Sequence, residues 1–277
     1  MSESPMTQRV DTADSSEVTQ AVPVAPDALP QWVPHAGKVG TALHQRTRQL
    51  WLTLECTFLF VLLPLLLTFG VIPGRGLRLL GFITLGVVLL LFLDRRFRFR
   101  DFFQPLRRSD FWRVLMRGVP IGLGVFLLAW LGDRFQWWPH LSLLWESRPD
   151  RFADELFMSF IKARPDIWIL VMCLYPIFSA LPQEIVWRTF FFHRYKEIFP
   201  TQTAMIWAST LTFAFLHVIF QNAVSLACCL VGGYLFSITY ARTRSLTAVW
   251  LEHSVYGCLI FTSGLGFFFF FTAARAG

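Results

Sequence analysis

Seven side chains in the C-terminal part of this 277-residue chain have the types and spacing for chemistry: Gln183, Glu184 and Arg188, then His217, then Asn222, then Glu252 with His253. All of them stand in or beside strongly apolar runs. An ionisable side chain inside a membrane span costs about 2.5–3.5 kcal/mol on insertion scales, so each is a functional candidate by default. Glu184 and Arg188 are four residues apart, on one helix face and in the order that favours an ion pair. A structural ion pair is one reading of them. Taken singly, either His is better read as a hydrogen-bonded core histidine. Two His and a Glu on three separate apolar segments, at similar depth, carry more together: they can share a proton, activate a water or bind a metal.

The elements that must position them are read from composition and apolar runs. Hydrophobic types make up 55% of the chain, aromatic types 17%, with thirty Phe and eleven Trp, and charged types 16%. Soluble domains carry about 25% charged residues. These figures exclude an ordinary soluble enzyme and, for the bulk of the chain, disorder. The expected fold is all-α, a polytopic helical membrane protein with about 7–8 transmembrane helices, each needing about 20 apolar residues. The first three spans are Trp51–Pro73, Gly76–Leu93 and Val119–Trp138. The fourth, Ile167–Pro182, is expected to kink at Pro176 and to run into a polar-faced helix, Gln183–Ile198. Thr203–Phe220 and Ala223–Tyr240 follow. Leu246–Thr272 is one long span or two short ones broken near Gly264 and Gly266.

Outside the spans, residues 1–48 are polar and read as a disordered N-terminal tail without a secretory h-region, and residues 49–277 as the helical membrane domain. Asp94–Gly118 carries eight Arg among Phe and Trp, which suits a segment on an anionic leaflet. Pro139–Asp166 reads as a mixed-charge loop. Arginines in the short loops put the 94–118 segment and the N-terminus in the cytoplasm. The net charge of +7 is topogenic in this pattern, and no nucleic-acid partner is expected. None of the five cysteines forms a CxxC pair, and they read as small buried hydrophobes.

The order Gln183-Glu184-Ile185-Val186-Trp187-Arg188, then Phe213-Ala214-Phe215-Leu216-His217, then Ser245-Leu246 leading to His253 resembles the CPBP family. That family includes type II CAAX prenyl proteases and bacteriocin-processing or immunity membrane proteins, with the pattern E-E-x-x-x-R, F-x-x-x-H and H-x-x-x-N/D on successive membrane helices. The resemblance covers about residues 166–264. It implies an intramembrane endopeptidase that hydrolyses a peptide bond of a membrane-anchored or lipidated protein or peptide. A Glu–His pair would activate water, and a second His with a polar amide would stabilise the oxyanion. The implied partners are that substrate and membrane lipids, and the implied location is a bacterial cell membrane. Members are described both as metalloproteases and as glutamic-type proteases. Glu, His and His could hold zinc, but no HExxH helix is present, so no cofactor is expected.

Two positions depart from the pattern. Gln183 stands at the first Glu, and a Gln amide takes up no proton near neutral pH. Gly257 stands where Asn or Asp is expected. Glu184 takes the base role, or Glu252 supplies the carboxylate, or the fold is kept and activity lost. Asn222 is a candidate replacement for the oxyanion donor. The alternatives to an enzyme are a catalytically silent scaffold or immunity protein, and a proton-coupled carrier.

Overall fold

The computed structural model describes residues 42–71, 76–98, 102, 106–138 and 156–269, and among them every regular element is a helix. α1 begins as Ala42–Thr57 and continues through a π turn, Phe58–Leu62, into Leu63–Thr68. α2 is Gly76–Leu93, α3 Arg108–Arg134 and α4 the short Ser159–Ala163. α5 is one run, Pro165–Arg194, with π turns at Pro176–Ala180 and Ile185–Phe190. α6, Gln202–Leu216, ends in a 3-10 turn, His217–Phe220; α7 is Ala223–Thr243; α8, Leu246–Ser263, leads to a 3-10 turn, Leu265–Phe269. Helices α1, α3, α5, α6 and α7 are long and apolar enough to cross a membrane. Their outer faces expose Leu123, Leu127 and Trp130 of α3 and Ile169, Leu170 and Phe178 of α5, residues that a bilayer rather than water must cover. The chain is an all-α polytopic membrane protein.

Caps fix where the last three helices begin. The side chains of Thr201, Asn222 and Ser245 accept from the backbone N–H groups of Ala204, Ser225 and Ala248, each three residues on, satisfying donors that a helix start leaves open. α8 stops at Gly264, whose φ of +101° suits only glycine, and a Cβ there would run into the carbonyl of Leu156. Leu246–Thr272 is therefore not one long span: the helix breaks at Gly264, and Thr272 lies outside the described residues.

Three boundaries differ from those expected. Helix already exists at Ala42, and Arg48 reaches Glu197 at 2.8 Å, so the chain is ordered ahead of the predicted limit; the earlier part of the predicted tail lies outside the described residues. Arg108–Gly118 forms the opening turns of α3, and Arg117 there meets a buried acid (below). The segment from Gln183 is not polar-faced: Gln183, Glu184 and the whole of Val186–Phe192 are buried. It forms the centre of the core, where Trp187 and Phe191 meet Phe60 of α1 edge-on, at 5.3 and 5.1 Å between centroids. α6 lies along α7, and α8 packs on α3 and α7, so α5, α6 and α8 bring their polar residues to one interior. Part of the Pro139–Asp166 loop lies outside the described residues; its end forms α4 and the first residues of α5.

Candidate active site

Glu184 occupies α5 between the two π turns, in a stretch where two prolines, Pro176 and Pro182, disturb the regular ladder. The indole N–H of Trp250 on α8 donates to the carbonyl of Pro176 at 2.6 Å, tying α5 to α8 two turns before Glu184. One carboxylate oxygen of Glu184, Oε1, lies 2.6 Å from Nδ1 of His253. The other, Oε2, lies 3.2 Å from Nε of Arg188, and both residues are fully buried. Arg188 donates through Nη2 to the carbonyl of Gly233 on α7 at 3.0 Å and lies over the ring of Phe213 at 4.6 Å. The arginine thus pairs with the acid and also fixes α5 to α6 and α7. A buried charge is tolerable when paired in this way.

His253 projects from the first half of α8. Its ring stacks on Phe236 (4.5 Å, 20°) and meets the edge of Phe213 at 5.7 Å, so the imidazole plane is held from two sides. With Nδ1–H donated to Glu184, Nε2 carries the lone pair. His217 sits at the end of α6, where the helix tightens to 3-10, and its Nδ1 is 2.7 Å from the carbonyl of Phe213. A backbone carbonyl can only accept, so Nδ1 donates and Nε2 again keeps the lone pair. Among the described residues neither Nε2 has a hydrogen-bond partner. Both histidines line one cavity of about 440 Å³, walled mainly by apolar residues of α3, α7 and α8 such as Val125, Leu128, Leu235 and Ile260. Gln183 lines it too. Its Nε2 donates to Ser179 at 3.1 Å, while its Oε1 is buried and has no partner among the described residues.

The remaining predicted residues are not brought to this cavity. Glu252 points to the other flank of α8, where Arg117 of α3 lies at 2.9 Å, Tyr256 donates at 2.9 Å and Thr239 of α7 donates at 2.5 Å. Both oxygens of that carboxylate are bonded, and the residue is fully buried. Asn222 caps α7 through Oδ1, and its amide nitrogen donates to the carbonyls of Phe220 (3.1 Å) and Phe268 (2.8 Å). Its polar atoms are spent on the turn. Two residues that the sequence reading passed over do bear on the sites. Arg117 was hidden in a run of arginines. Tyr175, on α5, lines the cavity and presses on Gly257, where an added Cβ would collide with its ring and hydroxyl. The missing side chain at 257 was the signal that something else fills that place.

His217 and His253 offer the cavity two nitrogens, and Gln183 stands where a further carboxylate would be. Among the described residues no group of three or more His, Cys, Asp or Glu is placed to hold a metal. The arrangement can transfer protons: a carboxylate–imidazole pair and a second imidazole share a cavity roomy enough for water and a chain segment. Neither the curated proteins nor the solved structures gave a match. Residues 165–259, which carry Tyr175, Gln183, Glu184, Arg188, His217 and His253, match the family described as type II CAAX prenyl endopeptidase Rce1-like, the family group to which the motifs had pointed.

Proposed function

We propose that this protein is an intramembrane endopeptidase that hydrolyses a peptide bond of a membrane-anchored or lipidated protein or peptide. The observation that carries the reading is the 2.6 Å contact between Glu184 and His253, on a cavity that His217 shares. Glu184 orients His253 and stabilises the imidazolium when it forms. Nε2 of His253 takes a proton from a water whose other hydrogen points to Nε2 of His217. The resulting hydroxide adds to the scissile carbonyl carbon, and the carbonyl electrons move to oxygen. When that tetrahedral centre collapses, the C–N bond breaks, and His253 returns its proton to the leaving amine. Arg188, pinned by Gly233 and Phe213, holds Glu184 in place. The water-poor walls strengthen each of these electrostatic contacts.

Wild-type protein in liposomes, given C-terminal peptides with a prenylated cysteine, is expected to release the tail. His253→Ala and His217→Ala should each lower the rate by about 10²–10⁴ while remaining folded and inserted. Processing by His217→Ala at the wild-type rate would remove that residue from the mechanism. Gln183 favours a second reading, a catalytically silent relative serving as a scaffold, since its amide is no base; an inert wild type on the whole peptide panel would select it. We further propose that the N-terminus and the 94–118 segment face the cytoplasm of a bacterial cell, on the strength of the arginines there. A cysteine placed at Phe103, outside the described residues, should then resist an impermeant label in intact cells, and labelling would reverse the orientation.

A further inference from the structure

Gly257 and Tyr175 occupy one site between α8 and α5. At Gly257 the three nearest atoms to an added Cβ are Cε1, Cζ and the hydroxyl oxygen of Tyr175, all too close for any side chain to coexist with that ring. The phenol therefore stands where an Asn or Asp side chain would otherwise project from α8. Residue 257 is four after His253, so the two share one face of α8, about one turn of 5.4 Å apart. Tyr175 also meets the ring of His253 edge-on at 6.0 Å and that of Phe261 at 5.2 Å. These contacts hold the ring from both sides of Gly257. Tyr175 lines the same cavity as the two histidines. Among the described residues its hydroxyl makes no hydrogen bond, although Trp168 and Trp250, its neighbours along the α5–α8 seam, have both found partners in Thr262 and Pro176.

A phenol with a free O–H in an apolar cavity is costly unless something bonds it. Other groups along the wall are less free: both histidines of the resting site present lone pairs at Nε2, and Gln183 and Ser179 are bonded to each other, one N–H of the amide being spent on the hydroxyl oxygen. We infer that Tyr175 is a catalytic residue of this chain: its hydroxyl donates a hydrogen bond to the scissile carbonyl oxygen as negative charge builds there, in the place left by the absent side chain at 257. The inference rests on the endopeptidase reading above. Tyr175 and Gly257 are then a linked pair, since a side chain at 257 and the phenol exclude each other.

The test uses the full chain in liposomes with the prenylated peptides, reading kcat, KM and melting temperature for wild type, His253→Ala, Tyr175→Phe, Tyr175→Ala, Gly257→Asn and the double variant Tyr175→Ala/Gly257→Asn. Tyr175→Phe keeps the ring and should lower kcat by about 10²–10³, the effect of removing one oxyanion donor, with KM and melting temperature nearly unchanged. Gly257→Asn alone should lose activity because it displaces the ring. The double variant, with room for the amide, should recover at least about tenfold over Tyr175→Ala, since a restored donor regains part of that stabilisation. Tyr175→Phe at the wild-type rate, beside an inactive His253→Ala, overturns the role of Tyr175 and leaves the endopeptidase reading standing. A wild type no faster than His253→Ala overturns both. If Tyr175→Phe proves unstable, the double variant decides: no recovery over Tyr175→Ala counts against the inference.

Discussion

Two buried glutamates in adjacent parts of the bundle are alike in cost and opposite in use. Glu184 and Glu252 are both completely buried, and each faces an arginine, Arg188 or Arg117. Around Glu252 two hydroxyls, from Thr239 and Tyr256, join Arg117, so both oxygens are bonded and the group clamps α3, α7 and α8, although among the described residues Nε of Arg117 is buried without a partner. Around Glu184 the filling is incomplete. Its Oε2 is close to Arg188 but badly aligned, and among the described residues Nη1 of Arg188 has no partner. Its other oxygen holds a histidine whose far nitrogen opens on a cavity. Buried polar groups in native proteins are as a rule satisfied, and those left short often mark work to be done. The satisfied carboxylate reads as structure and the unsatisfied one as chemistry.

The largest break in this comparison comes from neutralising each acid in turn. Glu184→Gln should lower processing by at least about 10²-fold, because the amide can neither enforce the tautomer of His253 nor balance its imidazolium. Glu252→Gln should leave the processing rate within about threefold and instead lower stability. The expected loss is about 1–3 kcal/mol, short of the ~3–5 kcal/mol of a fully buried pair, because Arg117 remains 27% exposed and can turn toward water or headgroups. Thermal unfolding in detergent, measured beside the rate, separates the two. A Glu252→Gln protein that is stable but inactive would put the second carboxylate back into the mechanism.

A smaller effect is expected at Gln183. Its Oε1 already lacks a partner in a buried place, so Gln183→Glu sets a second carboxylate next to Glu184, and two such groups cannot both ionise easily. A protein that works through Glu184 and His253 gains nothing from this and should slow by up to about tenfold, with a rate more dependent on pH, because the pair titrates as a unit. Rates of both proteins at several pH values measure this. An inert wild type beside an active Gln183→Glu would show instead that the site is a retired one.

How much of this was legible in the sequence follows from the range of each interaction. The helices were, since long apolar runs have few alternatives in a bilayer, and so was the grouping of Glu184, His217 and His253, because ions are rare in such runs and each stood out alone. The bond between Arg117 and Glu252 was not. It joins residues far apart in the chain with no local spacing to announce it, and Arg117 was one among eight arginines. Glu252 drew attention by adjacency to His253, yet neighbours on a helix point about 100° apart, and here they serve different flanks. The burial of Val186–Phe192 was obscured by Arg188 and Thr189, whose polarity suggests an open face until their partners are seen.

The smallest effect, and the sharpest check on the rule that satisfied groups are structural, is at Asn222. Its side chain accepts from the N–H of Ser225 at 2.8 Å and donates to the carbonyls of Phe220 and Phe268, closing the turn between α6 and α7 and binding it to the segment after α8. Gln221, just before it, has a φ of +55°, so the turn already carries some strain that the cap helps to hold. Asn222→Ala should cost about 1–2 kcal/mol, the usual loss for a cap, while the processing rate stays within about twofold. Asn222→Asp keeps the acceptor that caps α7 but turns the amide nitrogen into an oxygen facing two carbonyls, so it should be no more stable than the alanine variant despite restoring the cap. A fall in kcat at unchanged melting temperature would mean that a fully bonded amide still reaches the substrate. Satisfaction of its polar atoms would then no longer distinguish scaffold from site in this bundle, and Glu252 would have to be reconsidered on the same ground.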